Sequence, residues 1–260
     1  MMKSLSIAQT GMSAQEFQLG MHAANLANGS TPGYKATHAV FEDLAYQNYR
    51  QVGASISEQS ILPTGLQMGS GVRVSSTSRN FSEGTHQLSS GLYDVAIKGN
   101  GFFQLTLPDG TIGYTRDGSF QVDSQGRLVN SGGLPVAGGI TVPQNATGIT
   151  IGQDGAVSAT IPGNTAPQSI GTITLASFIN PAGLEPKGQN IFTESAASGQ
   201  PNAGTAGANG LGILMHGYVE GSNVNLVTEL VGMIQTQRAY EMNSKAIQTS
   251  DQMLQKLAQL

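Results

Sequence analysis

Apolar side chains recur every seven residues near the start of the chain, in the series Leu5, Met12, Leu19 and Leu26. Because seven residues are close to two turns of an α-helix, these side chains share one face. The pattern predicts a helix over residues 4–28, with Ser4 as its N-terminal cap. Gly29 and Pro32 follow the series and are typical of a helix end.

A second and longer series lies near the end of the chain and comprises Leu226, Met233, Tyr240, Ile247 and Leu254, with Leu230 and Leu257 beside it. It predicts a helix over residues 223–259, capped by Ser222 or Asn223. A neighbouring column of Val224, Val227, Val231 and Ile234 widens the apolar surface.

These two helices carry more apolar surface than one partner helix can cover. Residues 223–259 hold few charged side chains, namely Glu229, Arg238, Glu241, Lys245, Asp251 and Lys256. A freely solvated long helix usually carries many charge pairs four residues apart. The helices could form an ordinary intramolecular hairpin, but the pattern favours lateral packing against copies of the same chain. The polymerisation interface is then predicted at Leu5, Met12, Leu19, Leu26, Leu226, Leu230, Met233, Tyr240, Ile247 and Leu254.

The middle of the chain has a different pattern, in which short alternating apolar runs are separated by turn dipeptides. These are Asn100-Gly101, Asp109-Gly110, Asp117-Gly118 and Asp154-Gly155. Asn-Gly and Asp-Gly supply the positive φ angles of tight hairpins. The pattern predicts an antiparallel β domain, a small barrel or a sandwich, and therefore an α+β chain. Residues 195–212 are rich in Ser, Gly, Ala and Asn and are predicted to form a long surface loop.

Between the first helix and the β domain lies an aromatic segment, residues 31–70. Its aromatic start is unlike a flexible linker, so we expect an extended segment that packs on another surface. The chain is therefore predicted to divide into four parts. These are an N-terminal helix (residues 1–30), an extended segment (31–70), a β domain (71–221) and a C-terminal helix (222–260).

Composition narrows the function classes further. Only 11% of the residues are charged, the net charge is −4, and 35 of 260 residues are glycine. This charge balance indicates no nucleic acid partner and no attraction to an anionic membrane. The chain has no cysteine, which excludes disulfides and thiol catalysis. We expect no lipid insertion and no cleavable secretion signal, because Gln9, Thr10 and Ser13 interrupt any apolar N-terminal run.

No motif for catalysis, metal binding or cofactor binding stands out. The four histidines are scattered at residues 22, 38, 86 and 216, and no nucleotide-binding glycine loop occurs. We predict no enzyme activity and no cofactor, with His22 in a packing role. A carboxylate pair among Asp94, Asp109, Asp117 and Asp154 would instead indicate a hydrolase, but aspartates in turns are usually structural.

Several motifs, taken together, resemble those of bacterial flagellar rod and hook proteins. They cover both ends and the centre of the chain: residues 24–28 (ANLAN), 31–35 (TPGYK), 94–103 (DVAIKGNGFF), 114–120 (YTRDGSF), 222–225 (SNVN) and 237–241 (QRAYE). Residues 40–44, 57–59 and 62–67 are similar to the rod-specific stretch of the distal rod members of this family.

The resemblance implies a self-assembling subunit of a hollow helical shaft, located in the basal body and crossing the periplasm. The shaft would transmit torque from motor to hook and conduct exported subunits. The implied partners are copies of the chain, proximal rod proteins, the hook protein, the peptidoglycan-ring and outer-membrane-ring proteins and the type III export apparatus. The alternatives are a proximal rod or hook protein of the same family, or a peptidoglycan-binding or hydrolytic β-domain protein.

The same resemblance makes both terminal helices part of an inner tube. Neutral polar residues on the second helix fit a hydrated channel lining, and we predict that Gln248 and Gln252 face it. We expect the stiffness of the shaft to come from contacts that residues 46–67 make with neighbouring subunits. The predicted contact residues are Tyr46, Tyr49, Glu58, Leu62, Pro63 and Leu66.

Overall fold

The chain begins and ends in long helices and forms short strands between them. The structure, a computed structural model, describes residues 2–50, 55–57, 60–61, 64–163 and 166–258. Helix α1 spans Met2–Ala27 and helix α2 spans Leu226–Ala258. A short 3-10 helix spans Pro181–Gly183. The strands are β1 (Thr37–Asp43), β2 (Gln47–Arg50), β3 (Ser55–Ser57), β4 (Ser60–Ile61), β5 (Leu66–Met68), β6 (Val72–Arg79), β7 (His86–Leu88), β8 (Val95–Lys98), β9 (Phe102–Thr106), β10 (Ile112–Thr115), β11 (Gln121–Val122), β12 (Leu128–Val129), β13 (Gly148–Ile151), β14 (Ala156–Thr160), β15 (Gln168–Thr172), β16 (Thr174–Ser177), β17 (Glu185–Gly188), β18 (Ile191–Thr193), β19 (Asn202–Thr205), β20 (Ile213–His216) and β21 (Tyr218–Glu220).

The largest sheet is antiparallel and has the strand order β17-β18-β10-β9-β16-β19. A second antiparallel sheet has the order β13-β14-β15. The other strands pair in twos, as β1-β6, β2-β5, β3-β4, β7-β21, β8-β20 and β11-β12. These findings confirm the α+β class with a central antiparallel region. The sheets of the described residues close no barrel, so the predicted barrel or sandwich is not confirmed.

Two of the four predicted hairpin turns are confirmed. Asp109-Gly110 joins β9 to β10, and Asp154-Gly155 joins β13 to β14. Both glycines have positive φ angles, +82° and +91°. The other two predictions were wrong: Asn100-Gly101 is followed by β9, but β8 pairs with the distant β20 instead. Asp117-Gly118 closes no hairpin, because the preceding strand β10 pairs with β9 and β18.

Chain contacts divide the molecule into two compact units. The helical unit comprises Met1–Ala27, Thr37–Ser78 and Asn225–Leu260, and the β unit comprises Asn28–Ala36 and Arg79–Val224. The predicted four-segment division stays a prediction. In the described residues, no helix combines the length and the apolar character that crossing a membrane requires.

Strand β9 organises the core of the β unit, because its side chains alternate between two apolar clusters. Phe103 and Leu105 are fully buried in one cluster with Val95, Ile97 and other aliphatic residues. Phe102 faces the second cluster, where the rings of Phe81, Phe178 and Phe192 lie edge-on to it. Edge-to-face aromatic pairs stabilise such a cluster beyond the area they bury.

The predicted caps of both helices were wrong. Helix α1 begins at Met2, so Ser4 lies inside its first turn. Helix α2 begins at Leu226, and the side-chain Oδ1 of Asn225 accepts hydrogen bonds from the amides of Val227 and Thr228 at 3.1 and 3.2 Å. Asn225 is therefore the N-cap.

Asn223, one of the predicted caps, holds loops of the β unit together instead. Its Oδ1 accepts from the amide of Ala36 at 2.8 Å, and its Nδ2 donates to the carbonyl of Asn80 at 2.9 Å. A side chain that already makes these bonds is not used to cap the helix.

Candidate assembly surfaces

The two terminal helices pair antiparallel within the helical unit. A Cβ added at Gly11 would lie 3.1 Å from Asn243, and a Cβ added at Gly232 would lie 2.7 Å from the His22 ring. As α1 advances from residue 11 to residue 22, α2 therefore runs back from 243 to 232. These two glycines allow close approach of the helices and fix their register. Coiled-coil packing between them stays a prediction.

A polar contact lies between the helices beside the second glycine. The Nδ1 of His22 and the Oε2 of Glu229 are 2.5 Å apart, and Glu229 is buried. Thr236, also buried, donates its hydroxyl hydrogen to the carbonyl of Gly232 at 2.8 Å. His22 thus contributes to helix packing, which is the role predicted for it from its place within the first helix.

One face of α2 leaves large apolar side chains exposed. Of the ten predicted interface residues, Leu226, Leu230 and Tyr240 are exposed. The other seven are half-buried: Leu5, Met12, Leu19, Leu26, Met233, Ile247 and Leu254. The column of Val227, Val231 and Ile234 is 48–70% exposed. A contiguous exposed apolar surface of this kind is typical of an interaction site.

Two further exposed apolar residues of α2, Met242 and Met253, are absent from the sequence prediction. Neither belongs to the seven-residue series, so the periodicity carries no signal for them. The predicted channel-lining residues Gln248 and Gln252 are both exposed on the same helix. That these two glutamine side chains face a channel stays a prediction.

A two-stranded ribbon of the helical unit, β2 with β5, presents aromatic and apolar side chains to solvent. Tyr46, Tyr49 and Leu66, three of the predicted rod-specific contacts, are each more than half exposed. The ammonium of Lys3 lies 4.7 Å from the centre of the Tyr49 ring and donates to that residue's hydroxyl. The other predicted contacts, Glu58, Leu62 and Pro63, lie outside the described residues.

The ribbon is anchored to α1 through the same lysine, whose Nζ donates to Gln47 at 2.6 Å. A hydrogen bond to Asp43 and the charge of that carboxylate raise the pKa of Tyr46. The phenol of Tyr46 therefore stays protonated and uncharged near neutral pH. An exposed, neutral and partly apolar ribbon is suited to contact another protein.

Inside the β unit, three charged side chains form a buried ion cluster, defined as Lys35, Arg116 and Glu220. They are 1%, 3% and 0% exposed. The Nζ of Lys35 donates to Oε1 of Glu220 at 2.6 Å, and the Nε of Arg116 lies 3.5 Å from Oε2. Burial lowers the pKa of Lys35 and of Arg116, and the Glu220 carboxylate opposes both shifts.

The 31–35 motif meets the ion cluster in a turn that needs glycine. Gly33 has φ +69°, its amide donates to the carbonyl of Glu220 at 2.8 Å, and an added Cβ would lie 2.6 Å from the amide nitrogen of Asp117. The motif thus joins the chain segment that follows α1 to the segment that precedes α2. Sequence reasoning recognised the motif but missed Glu220, whose burial leaves no local signal.

The aspartates in the turns accept hydrogen bonds from backbone amides of their own loops. Oδ1 of Asp109 accepts from the amide of Thr111, and the corresponding atom of Asp154 accepts from that of Ala156. Asp117 likewise accepts from the amide of Ser119, while burial and, more weakly, the charge of Asp94 raise its pKa. In the described part of the chain, no group of three or more potential metal ligands comes together.

Comparisons with known families match three segments. Residues 5–35 match the flagella basal body rod protein family, residues 96–159 the flagellar hook protein FlgE/F/G D1 domain, and residues 215–260 the flagellar basal body rod FlgEFG protein C-terminal family. The matched segments contain most of α1, the core strand β9 and all of α2.

Relatives that match most or all of the chain are also flagellar basal-body rod proteins. The flagellar basal-body rod protein FlgG of Buchnera aphidicola subsp. Schizaphis graminum is 54% identical over 260 residues, all of both chains. That of Borreliella burgdorferi is 46% identical over 98% of this chain and 97% of its own. The flagellar basal-body rod protein FlgF of Escherichia coli is 32% identical over 90% of this chain and 88% of its own.

Proposed function

Because this chain belongs to the flagellar basal-body rod protein family, we propose that it is a structural subunit that assembles with its own copies into the rod of the basal body. The exposed apolar face of α2 is the observation that carries this proposal. An isolated subunit leaves Val227, Val231 and Ile234 in water, and a neighbouring subunit would cover them.

Open-ended growth requires that a subunit use different faces for its two neighbours. An interface of this kind does not close on itself and produces a helical filament. The exposed column of α2 is proposed as one of these faces, and the exposed ribbon of β2 and β5 as another. We propose that the helices of neighbouring subunits pack in a coiled-coil-like manner in the assembled rod, with both helices in its inner tube.

Several finer features belong to the same proposal. The rod is the distal rod, turns within the peptidoglycan and outer-membrane rings, transmits torque to the hook and receives its subunits through the type III export apparatus. The 54% identity to a FlgG relative, against 32% to a FlgF relative, supports this place over that of another rod protein. Turn aspartates that serve their own loops support a structural role over hydrolysis.

The exposed ribbon of β2 and β5 is proposed to stiffen the rod by lying against a neighbouring subunit. Replacing Tyr46, Tyr49 and Leu66 together by Ser should yield basal bodies with bent or truncated rods, because three exposed apolar contacts are lost at each subunit boundary. Electron microscopy of isolated basal bodies measures rod length and straightness, and mass spectrometry measures the content of this chain.

The matched control replaces two polar neighbours in the same strands, Asn48→Ser with Gln67→Ser, and should leave rods normal. Straight, full-length rods from the triple variant would reject the stiffening role. Absence of the unaltered chain from isolated rods would reject the proposed function as a whole.

The channel proposal assigns a neutral polar lining to α2. Gln252→Lys should reduce the amounts of hook and filament subunits secreted into the medium several-fold, because rings of added cations retain anionic segments in transit. Immunoblots of culture supernatants give the measurement, and Gln252→Asn is the neutral control. Normal secretion from the lysine variant, with rods present, would show that this position does not face the channel.

A further inference from the structure

A cavity of about 350 Å³ lies within the β unit and is lined by both aromatic and polar side chains. Phe81, Phe102 and Phe178 supply an apolar part of the lining. The lining also includes Ile179, which is 96% exposed, so the cavity opens to solvent. A volume of this size accepts a small molecule or a single side chain of another protein.

Three polar side chains of the lining have hydrogen-bond donors with no partner in the described part of the chain. They are the guanidinium of Arg116, whose Nη1 is buried and makes no hydrogen bond, the amide of Asn100 and the hydroxyl of Ser177. A buried donor without an acceptor costs free energy, most of all on a charged group. The cavity therefore combines an apolar surface with donors that need an acceptor from outside the chain.

The charge of Arg116 is the one that the ion cluster does not balance. Lys35 and Glu220 are paired at 2.6 Å, and the amide of Gly84 donates to the same carboxylate oxygen, Oε1, at 2.9 Å. The other oxygen, Oε2, makes no hydrogen bond, and the Nε of Arg116 lies 3.5 Å from it. Arg116 donates instead from Nη2 to the carbonyl of Gly99 at 2.8 Å. Two buried cations thus share one buried anion, and one positive charge beside the cavity has no buried counter-ion.

A second carboxylate near the cluster does not supply the missing counter-ion. The Oε1 of Glu83 accepts from the amide of Gly99 at 3.0 Å and lies 3.3 Å from the Nε2 of His86. Its side chain is 37% exposed, so water screens its attraction to Arg116. Burial has the largest influence on Arg116 and lowers the pKa of its guanidinium, as expected for a charge without a full counter-ion.

We propose that this cavity binds a carboxylate that carries an apolar group. The carboxylate accepts hydrogen bonds from Arg116, Asn100 and Ser177, and the apolar group lies against the phenylalanine rings. Its single negative charge matches the single positive charge that lacks a counter-ion. The carboxylate belongs either to a free organic acid or to an acidic side chain of a neighbouring copy of this chain, and the two sources give different results with assembled polymer.

Sodium benzoate and its neutral analogue benzamide test the site in the purified full chain, at neutral pH and constant sodium chloride concentration. Benzoate should shift the amide NMR signals of residues 99–102 and 177–180 in a saturable manner. Benzamide should bind about tenfold more weakly or worse, because it has no negative charge for the guanidinium. Equal binding of the two compounds, or no saturable shift with benzoate, would overturn the proposal.

Removal of the two neutral donors gives a variant that keeps the ion cluster intact. Asn100→Ala with Ser177→Ala should weaken benzoate binding about tenfold, because two hydrogen bonds to the carboxylate are lost. The matched control, Asn145→Ala with Ser169→Ala, makes the same changes at exposed positions outside the cavity lining and should alter binding by less than about twofold. Equal effects of the two double variants would reject the assigned donors.

Arg116→Leu removes the charge itself and should abolish the preference for benzoate over benzamide. Lys35 and Glu220 remain as a balanced pair, so we expect the β unit to keep its fold, which tyrosine fluorescence verifies. A folded Arg116→Leu chain that still prefers benzoate would contradict the proposal. If this variant does not fold, the double variant of Asn100 and Ser177 decides.

Assembled polymer distinguishes the two sources of the carboxylate. If a neighbouring copy supplies it, benzoate competes with assembly, and both benzoate and the double variant of Asn100 and Ser177 raise the critical concentration for polymerisation several-fold. If a free organic acid supplies it, polymerisation is unchanged and the polymer binds benzoate as tightly as the free subunit. Either result supports the site. Benzoate binding by the free subunit does not depend on assembly, so failure of the unaltered chain to polymerise would overturn the proposed function alone.

Discussion

Val231→Asp is expected to abolish polymerisation of the chain without unfolding it. In the free subunit Val231 is 48% exposed, so the carboxylate stays in contact with water and costs little. In the proposed polymer the same face of α2 would be covered, and an unpaired charge buried in an apolar interface costs several kcal/mol, at least about 3. Sedimentation should show less polymer by a factor of about 100 or more, while circular dichroism shows unchanged helix content.

Val231→Thr is the matched control, because threonine has the shape of valine and no charge. It should retain most of the polymer. Polymer yield from Val231→Asp within twofold of the natural chain would show that the exposed column of α2 faces solvent in the assembly.

Glu220→Ala has the largest expected effect on folding. It leaves the ammonium of Lys35 and the guanidinium of Arg116 buried without their anion, and breaking a buried ion group in this way lowers the free energy of unfolding by about 3–5 kcal/mol. Denaturant unfolding of the full chain, followed by tyrosine fluorescence, measures this loss.

A neutral version of the cluster separates charge from packing. Lys35→Met, Arg116→Leu and Glu220→Leu together should recover most of the lost stability, since apolar side chains of similar volume need no counter-ion. Arg127→Ala, which removes an exposed partner of Asp123, should leave the unfolding midpoint unchanged. If Glu220→Ala unfolds at the natural denaturant concentration, the cluster does not hold the β unit together.

The helices were predictable because their apolar periodicity is long. The residues at which the helices begin were less predictable. Three Asn or Ser residues precede α2 within four positions, and sequence alone does not say which of them caps the helix. Asn223 is occupied by bonds to Ala36 and Asn80, which lie far away in the sequence, and Asn225 is left to cap.

The strands show where local rules fail. Asp109-Gly110 forms a hairpin because the strands on either side of it, β9 and β10, pair with each other. Asn100-Gly101 forms none because β8 pairs with β20 instead of β9. Residues 195–212 were wrongly predicted to be entirely loop, since Asn202–Thr205 forms the edge strand β19 against β16. Its small residues have weak strand propensity, and the partner strand decides the structure.

Among the candidate site residues, the sequence likewise predicts some and not others. Periodicity identifies side chains that act in series, such as Leu226 and Leu230, which are exposed. It gives no information on contacts between single residues distant in the sequence. Lys35 and Glu220 are 185 positions apart, so only the folded chain brings them together.

The close contacts at Gly11 and Gly232 bear on how the helix pair responds to mechanical load. Sliding one helix along the other by one turn, about 5.4 Å, would move neighbouring side chains against these glycines and separate His22 from Glu229. Both contacts would be lost together, so a shear of this size is opposed at two places along the pair. A shaft built from such pairs would store small displacements elastically and return to its original length when the load is removed.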